Sequence, residues 1–247
     1  MTVPGYSFAE QVVVVTGASS GIGRAIARGF AEGEAKVVFV GQNRERLEEA
    51  VEGLPEERVK CCSCDVADRE AVNEMMREIE ADWGAVDVLV NNAGINTPKR
   101  SVAEVAPEDW DRTVAINLTG PFNMVRAALP GMREKGGGLI INVASIAGLR
   151  AGKVAGAAYA ASKHGLVSLN HSLNEEEKEN GIRACVICPG EVETPILDKR
   201  PVPVSAEHRA CILQPEDVAA AALFVASLPP RVCVAELVIT PRLQGFR

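Results

Sequence analysis

The sequence predicts an α/β fold: a doubly wound parallel sheet of about seven strands, with helices on both faces. Short apolar runs, each suited to one buried strand, lie over 11–16, 36–41, 59–64, 86–90, 139–144, 183–188 and 236–239. Amphipathic stretches alternate with them over 21–32, 44–52, 69–83, 107–134, 157–180 and 215–227. Alternation of this kind is typical of a parallel sheet whose crossover helices cover both sides.

Length and charge limit the possible classes of protein. A chain of 247 residues is long enough for one sizeable domain and short for two. The net charge of -7, with no basic cluster, makes nucleic-acid binding an unexpected function. Apolar runs stay well below the roughly 20 residues of a membrane span, and the N-terminus lacks a signal-peptide pattern. We therefore expect a cytoplasmic protein without a membrane partner.

One segment departs from the alternation. Residues 193–213 carry three prolines and mixed charge without a clean period. Such a stretch predicts a loop, which we interpret as a flap over a binding site within the single domain 1–247.

The seven cysteines favour a structural interpretation over a metal site. Cys61, Cys62 and Cys64 are close in sequence, and Cys185 and Cys188 have Cys-x-x-Cys spacing. Both groups fall in predicted strands, where neighbouring side chains point to opposite faces, and neither has a histidine nearby. We expect no metal site, and the odd count argues against a disulfide framework.

A glycine-rich turn links the first strand to the first helix. The segment 16–23 reads Thr-Gly-Ala-Ser-Ser-Gly-Ile-Gly. Glycines at such a place let backbone N–H groups approach a pyrophosphate at the positive end of a helix. The spacing differs from the Gly-x-Gly-x-x-Gly dinucleotide pattern, and a turn that only packs a helix close to a strand stays an alternative.

A second pattern combines Tyr159 with Lys163. Residues four apart share one face of a helix, which places a phenol beside an ammonium group. A nearby cation favours the phenolate and so lowers the pKa of tyrosine toward the neutral range, where it can act as a general acid or base. Ser145, at the end of the apolar run 139–144, precedes this pair by fourteen residues.

Taken in order, these motifs resemble those of the short-chain dehydrogenase/reductase family in its classical form. The series comprises the turn at 16–23, Asp65-Val66, the stretch Asn91-Asn92-Ala93-Gly94, Asn117, Ser145, Tyr159 with Lys163, and the stretch from Pro189 to Thr194. The resemblance covers nearly the whole chain. It implies an NAD(P)-dependent oxidoreductase built on a Rossmann-type sheet.

The resemblance also implies a role for each residue. Tyr159 would be the general acid/base, Lys163 would lower its pKa and hold the nicotinamide ribose, and Ser145 would donate to the substrate oxygen. Asn117 would hold a water that links Lys163 to solvent. The catalytic set is therefore Asn117, Ser145, Tyr159 and Lys163. The cofactor set is Gly17, Ser19, Ser20, Gly21, Ile22, Gly23, Gln42, Arg44, Asp65, Val66, Asn91, Ala93, Gly94, Tyr159, Lys163, Pro189, Gly190, Val192 and Thr194, with Asp65 facing the adenine and Thr194 the carboxamide.

The end of the second predicted strand bears on the choice of cofactor. Gly41 stands where NAD-preferring relatives tend to carry aspartate, and Gln42 where NADP-preferring ones tend to carry arginine. Arg44 and Arg46 follow without an opposing acid at the strand end, although a solvated helix face is the alternative explanation. We expect NADP(H) to be favoured over NAD(H).

The predicted activity is hydride transfer between nicotinamide and a small carbonyl or secondary-alcohol substrate. The alternative is a catalytically silent nucleotide-binding sensor or scaffold of the same fold. Such proteins usually lose the tyrosine or lysine, both of which are present here. Dehydratases and epimerases with the same site generally have longer chains. The resemblance further implies a homodimer or homotetramer packed through the helices predicted at 107–134 and 157–180.

Overall fold

The computed structural model of the protein describes residues 7–200 and 203–244. Residues 1–6 and 245–247, together with positions 201–202 of the predicted flap, lie outside the described residues.

The strands form one sheet in which every pairing is parallel. Their order in the sheet is β3-β2-β1-β4-β5-β6-β7. Strands β1 to β3 are added toward one edge and β4 to β7 toward the other, and sheets of this type bind ligands at the point between β1 and β4 where the order reverses. The prediction of a doubly wound sheet of seven strands is confirmed. The strands are β1 (Val12–Thr16), β2 (Lys36–Gly41), β3 (Val59–Ser63), β4 (Val88–Asn91), β5 (Gly138–Val143), β6 (Ile182–Pro189) and β7 (Glu236–Ile239).

The helices connect these strands and cover both faces. Asn43 and Asp68 begin α2 and α3 by accepting hydrogen bonds from first-turn backbone N–H groups. The helices are α1 (Gly21–Glu32), α2 (Arg44–Val51), α3 (Arg69–Trp83), α4 (Pro107–Val114), α5 (Gly120–Lys135), α6 (Ala157–Glu177), α7 (Ala206–Arg209) and α8 (Pro215–Ser227). In the described ranges, none of these helices combines the length and the apolar character that crossing a bilayer requires.

Strand β1 shows why the sheet has two cores. Val13 and Val15 pack with α1 and α8 on one face, whereas Val12 and Val14 pack with α3 and α5 on the other. Because side chains alternate along a strand, a continuous run of valines supplies both faces at once. The apolar runs of the sequence are therefore buried strands.

Two predicted segments differ in detail. The single helix expected over 107–134 is α4, a π-helical turn over Ala115–Thr119, and then α5. Pro121 lacks a backbone N–H, so the regular hydrogen-bond ladder cannot run through this point. The predicted loop at 193–213 contains a 3-10 turn over Pro195–Lys199 and the short α7, which Ser205 caps.

Candidate active site

The turn from β1 into α1 lies at the reversal point of the sheet. Gly17 and Gly21 have φ angles of 66° and 53°, a region that strongly favours glycine. The Thr16 hydroxyl donates to the carbonyl oxygen of Val90 at 3.2 Å and accepts from the N–H of Ala93 at 3.1 Å. These bonds join the turn to the end of β4 and so fix the position of its backbone.

The residues of this turn fit a dinucleotide. Within the described residues Ser20 makes no side-chain cap for α1, so first-turn N–H groups are left for another partner. A Cβ on Gly21 would lie 3.0 Å from Cγ2 of Thr194 and would reduce the space between the turn and Thr194. Donors at a helix N-terminus together with side-chain-free backbone are what a pyrophosphate requires.

A cleft of about 480 Å³ runs along this turn. It brings together twelve predicted cofactor residues: Gly17, Ser19, Ser20, Gly21, Ile22, Gln42, Val66, Ala93, Gly94, Tyr159, Lys163 and Thr194. Asn92 and Lys199 line it as well and were not among the predicted cofactor residues. Arg46, which the sequence indicated as a source of positive charge for the cofactor, also lines it. Asn92 was within reach of sequence reasoning, because it stands inside the Asn-Asn-Ala-Gly motif.

Seven predicted cofactor residues are not among those lining the cleft. Three of them, Pro189, Gly190 and Val192, line a cavity beside it, and each of the other four has another contact. A Cβ on Gly23 would lie 2.3 Å from the Gly17 carbonyl oxygen, so Gly23 serves the close packing of the turn. Asn91 donates to the Asn142 side chain at 3.0 Å and belongs to the core of the sheet.

The other two are charged residues with ionic partners. The Asp65 carboxylate accepts from Arg112 at 2.7 Å and is not among the residues that line the cleft, so its place beside the adenine stays a prediction. Arg44 binds Glu48 at 2.7 Å and the carbonyl oxygen of Cys61 at 2.8 Å, outside the cleft. The side chain that reaches the cleft is Arg46, two residues further along α2.

A second cavity, of about 400 Å³, adjoins the first. Ser145 lines it together with Pro189, Gly190 and Val192, which the sequence had assigned to the cofactor. Tyr159 and Thr194 line both the cleft and this cavity. The tyrosine therefore stands where the two spaces meet.

The chemistry at this junction depends on Tyr159, Ser145 and Lys163. Tyr159 shares a hydrogen bond with Ser145, and Lys163 donates to the carbonyl oxygen of Val143 at 2.8 Å. The Lys163 Nζ lies 5.7 Å from the centroid of the tyrosine ring. Burial lowers the pKa of Lys163 to about 8.

The predicted net lowering of the phenol pKa is not found. Burial raises the pKa of Tyr159, and this effect outweighs the hydrogen bond with Ser145 and the charge of Arg100, both of which lower it. The reason is that desolvation disfavours a phenolate more strongly than these two contacts stabilise it. At neutral pH the Tyr159 side chain is therefore a proton donor.

Asn117 lies in the π-helical turn and is fully buried. Its side-chain oxygen accepts from the Ile95 N–H at 2.8 Å, and its amide donates to the Ile95 carbonyl at 3.0 Å. A Cβ on Gly94 would lie 3.5 Å from both Oδ1 of Asn117 and Nζ of Lys163, so these two polar groups are neighbours. Single-turn π segments of this kind are frequent at functional sites.

Sequence reasoning missed Arg100 and Arg150, two of the three basic residues that line the second cavity. They come from loops that follow β4 and β5 and are about fifty residues apart in the chain. The described residues include no group of three or more histidine, cysteine or acidic side chains arranged to hold a metal.

The match to known proteins agrees with this geometry. The model of the short chain dehydrogenase family matches residues 11–202. An oxidoreductase of Staphylococcus aureus strain MW2 is 33% identical over 232 residues, which cover 94% of this chain and 97% of the relative. A D-beta-hydroxybutyrate dehydrogenase of Cupriavidus necator is 35% identical over 239 residues, 88% of this chain and 91% of the relative.

Solved structures show the same similarity. Serine dehydrogenase complexed with NADP+ superposes with a TM-score of 0.88 at 32% identity, covering 96% of this chain and 97% of that chain. An alcohol dehydrogenase of Thermococcus sibiricus complexed with 5-hydroxy-NADP gives 0.86 at 27% identity, covering 96% and 99%. The chain belongs to the short-chain dehydrogenase family and is an oxidoreductase of Rossmann fold.

Proposed function

We propose that this protein is an NADP(H)-dependent oxidoreductase that interconverts a small carbonyl compound and the corresponding secondary alcohol. One observation carries the proposal: Tyr159 lines both the cleft that fits a dinucleotide and the cavity beside it. A proton donor at that junction can reach the oxygen of a substrate whose carbon faces the nicotinamide. The names of the relatives, which are dehydrogenases of hydroxybutyrate, serine and alcohol, support the same reaction type.

The cofactor supplies the hydride. In the direction of reduction, Tyr159 gives its proton to the carbonyl oxygen, and Ser145 donates a hydrogen bond to that oxygen. Lys163, buried beside the tyrosine ring, stabilises the phenolate that remains. Asn117, its neighbour across Gly94, orders a water through which the proton returns from solvent. In oxidation the same groups act in reverse.

The remaining cleft residues hold the dinucleotide. With a cofactor bound, the N–H groups of the turn at 16–23 would hold the pyrophosphate, Val66 would lie at the adenine end and Thr194 would bind the carboxamide. Lys163 and Tyr159 would hold the nicotinamide ribose.

The preference for NADP(H) rests on the charge of the cleft. Among the described residues that line it, none carries a carboxylate, whereas Arg46 of α2 and Gln42, just after β2, both line it. An acid there would bind the ribose 2′-hydroxyl of NAD and repel a 2′-phosphate, and a base has the opposite effect. Removal of Arg46 should therefore weaken NADP(H) binding and leave NAD(H) binding nearly unchanged.

Arg44 provides a matched control for that measurement. It lies on the same helix but binds Glu48 and the Cys61 carbonyl outside the cleft. Binding constants for NADP+ and NAD+ are measured for the wild type, Arg46→Ala and Arg44→Ala. We expect about a tenfold or greater loss of NADP+ affinity for Arg46→Ala alone, the scale of one charge-assisted hydrogen bond. Tighter binding of NAD+ than of NADP+ by the wild type would overturn the proposed preference.

The reaction itself is tested with Tyr159→Phe. Oxidation of NADPH is followed by absorbance over a panel of ketones and aldehydes, and cofactor binding is measured separately. We expect turnover in the wild type and a loss of at least a hundredfold in the variant, with cofactor binding retained. Tight cofactor binding without turnover of any panel member would favour the sensor or scaffold instead.

A further inference from the structure

The cavity beside Tyr159 carries an excess of positive charge. Among the described residues that line it, the bases are Arg100, Arg150 and Arg200, and the acid is Glu191. Even without Arg150, two guanidinium groups face one carboxylate.

Arg100 is the most deeply buried of these bases, with 8% of its surface exposed. It donates to the carbonyl oxygens of Thr97 at 2.9 Å, Val154 at 2.7 Å and Lys199 at 2.7 Å. Carbonyl dipoles satisfy the N–H groups but do not cancel a full charge. A guanidinium has five N–H groups, so these three bonds leave two for another acceptor.

Arg200 adds a second cation at the same wall. Its side chain is 19% exposed and lies 3.3 Å from Oε1 of Glu191. Glu191 also pairs with His208 through its other oxygen, so this one carboxylate serves more than one base. Burial and the nearby charge of Arg200 together lower the pKa of Arg100, as expected where like charges lie close together.

We propose that the substrate is an oxo- or hydroxy-carboxylate, whose carboxylate binds at Arg100 and Arg200 while its carbonyl or hydroxyl oxygen faces Tyr159 and Ser145. This inference rests on the proposed function. A desolvated cation that lacks a full counter-charge is costly, and an entering anion relieves that cost. The planar fork of arginine matches a carboxylate in particular.

A purely structural role for Arg100 is the competing explanation. Its three carbonyl partners join the loop after β4, the segment before α6 and the segment 193–200, so its loss would also loosen the wall. Arg200 is therefore the better position to change, because among the described residues its side chain forms an ion pair with Glu191 and no comparable set of hydrogen bonds to backbone carbonyls. Arg231→Gln is the matched control, since it removes the same charge from an exposed turn between α8 and β7.

The experiment compares acids with their neutral esters. Reduction of 2-oxobutanoate, 3-oxobutanoate and 4-oxopentanoate is measured against the methyl ester of each, with NADPH and with NADH. For at least one pair, we expect kcat/KM of the wild type to favour the acid by about 10- to 100-fold, the scale of a hydrogen-bonded charge pair. Arg200→Gln should reduce that ratio about tenfold, chiefly through KM, and Arg231→Gln should leave it unchanged.

Binding gives a readout that does not depend on turnover. Titration calorimetry of each acid into NADP+-loaded Tyr159→Phe should show binding that Arg200→Gln weakens. Turnover of esters at least equal to that of acids would refute the carboxylate site and leave the oxidoreductase function standing. Faster turnover of dihydroxyacetone phosphate than of every acid would assign the arginines to a phosphate and so overturn the proposal. If no compound is reduced and no acid binds, the proposed function fails as well.

Discussion

Replacement of Lys163 by methionine removes a cation that the fold holds almost entirely out of water. Lys163 is 3% exposed, and its ammonium group donates a hydrogen bond to the Val143 carbonyl. Burial lowers the pKa of Lys163 from 10.5 to about 8. In the unfolded chain the same amine has its ordinary pKa, so folding makes it release its proton more readily.

The magnitude follows from the two pKa values. Below pH 8 the lysine is protonated in both states, and its burial as a cation costs about 3 kcal/mol, at roughly 1.4 kcal/mol per pH unit of difference. Between about pH 8 and 10.5 the unfolded chain binds more protons than the folded one, so stability rises with pH. From pH 7 to pH 10 we expect the contribution of Lys163 to improve by about 2 to 3 kcal/mol.

The assay is urea unfolding of the wild type and Lys163→Met at several pH values between 7 and 10. Groups that do not interact with Lys163 contribute equally to both proteins, so their effects cancel in the difference between the two. The variant leaves the Val143 carbonyl without its donor, a loss of about 1 to 3 kcal/mol that does not depend on pH. The measurement is therefore how the difference in unfolding free energy between the two proteins changes with pH. A difference that stays constant from pH 7 to 10 would refute a buried Lys163 with a lowered pKa.

Further outcomes are expected elsewhere in the chain. Gly23→Ala should weaken cofactor binding at least tenfold in a titration, since its Cβ would lie 2.3 Å from a carbonyl oxygen of the turn. Glu177→Ala should lower the free energy of unfolding by about 1 to 3 kcal/mol with turnover unchanged, because buried Glu177 accepts from Arg133 at 2.9 Å. Arg133 lowers the pKa of Glu177, so that loss should diminish as the pH falls below 4.5. We expect a homodimer or homotetramer packed through α4 with α5 and through α6, a region where Trp110 and Phe122 are each 38% exposed. Light scattering should give two or four times 26.2 kDa, and a Trp110→Glu, Phe122→Glu double variant should shift the mass toward one chain.

The fold was predictable because its strands and helices are encoded by patterns of neighbouring residues. Runs of buried apolar residues and the helices between them can be read from neighbouring positions. The turn at 16–23 and the spacing of Tyr159 and Lys163 are local patterns as well, and the structure brings both to the same cleft. The break in the helix at 107–134 had a visible signal in Pro121, whereas the π-helical turn before it depends on packing that no local pattern encodes.

Side-chain partners were less predictable. Arg44 and Arg46 are equally basic in sequence, but Arg44 finds Glu48 one turn along its helix and the Cys61 carbonyl on β3. Asp65 likewise meets Arg112, which lies 47 positions away in the chain. An ionic side chain takes the partner that the fold brings near, so its role depends on contacts distant in sequence.

The sequence by itself determined the order of strands and helices, the glycine turn and the four-residue spacing of Tyr159 and Lys163, since each depends on backbone preferences over a few positions. Only the tertiary structure decided the pKa values of these two residues. Burial by the surrounding fold raises the pKa of Tyr159 and lowers that of Lys163. The tertiary structure also gathered Arg100 and Arg200 from separate loops into one wall of the cavity. Residues a hundred positions apart become neighbours only when the sheet and its connections are in place.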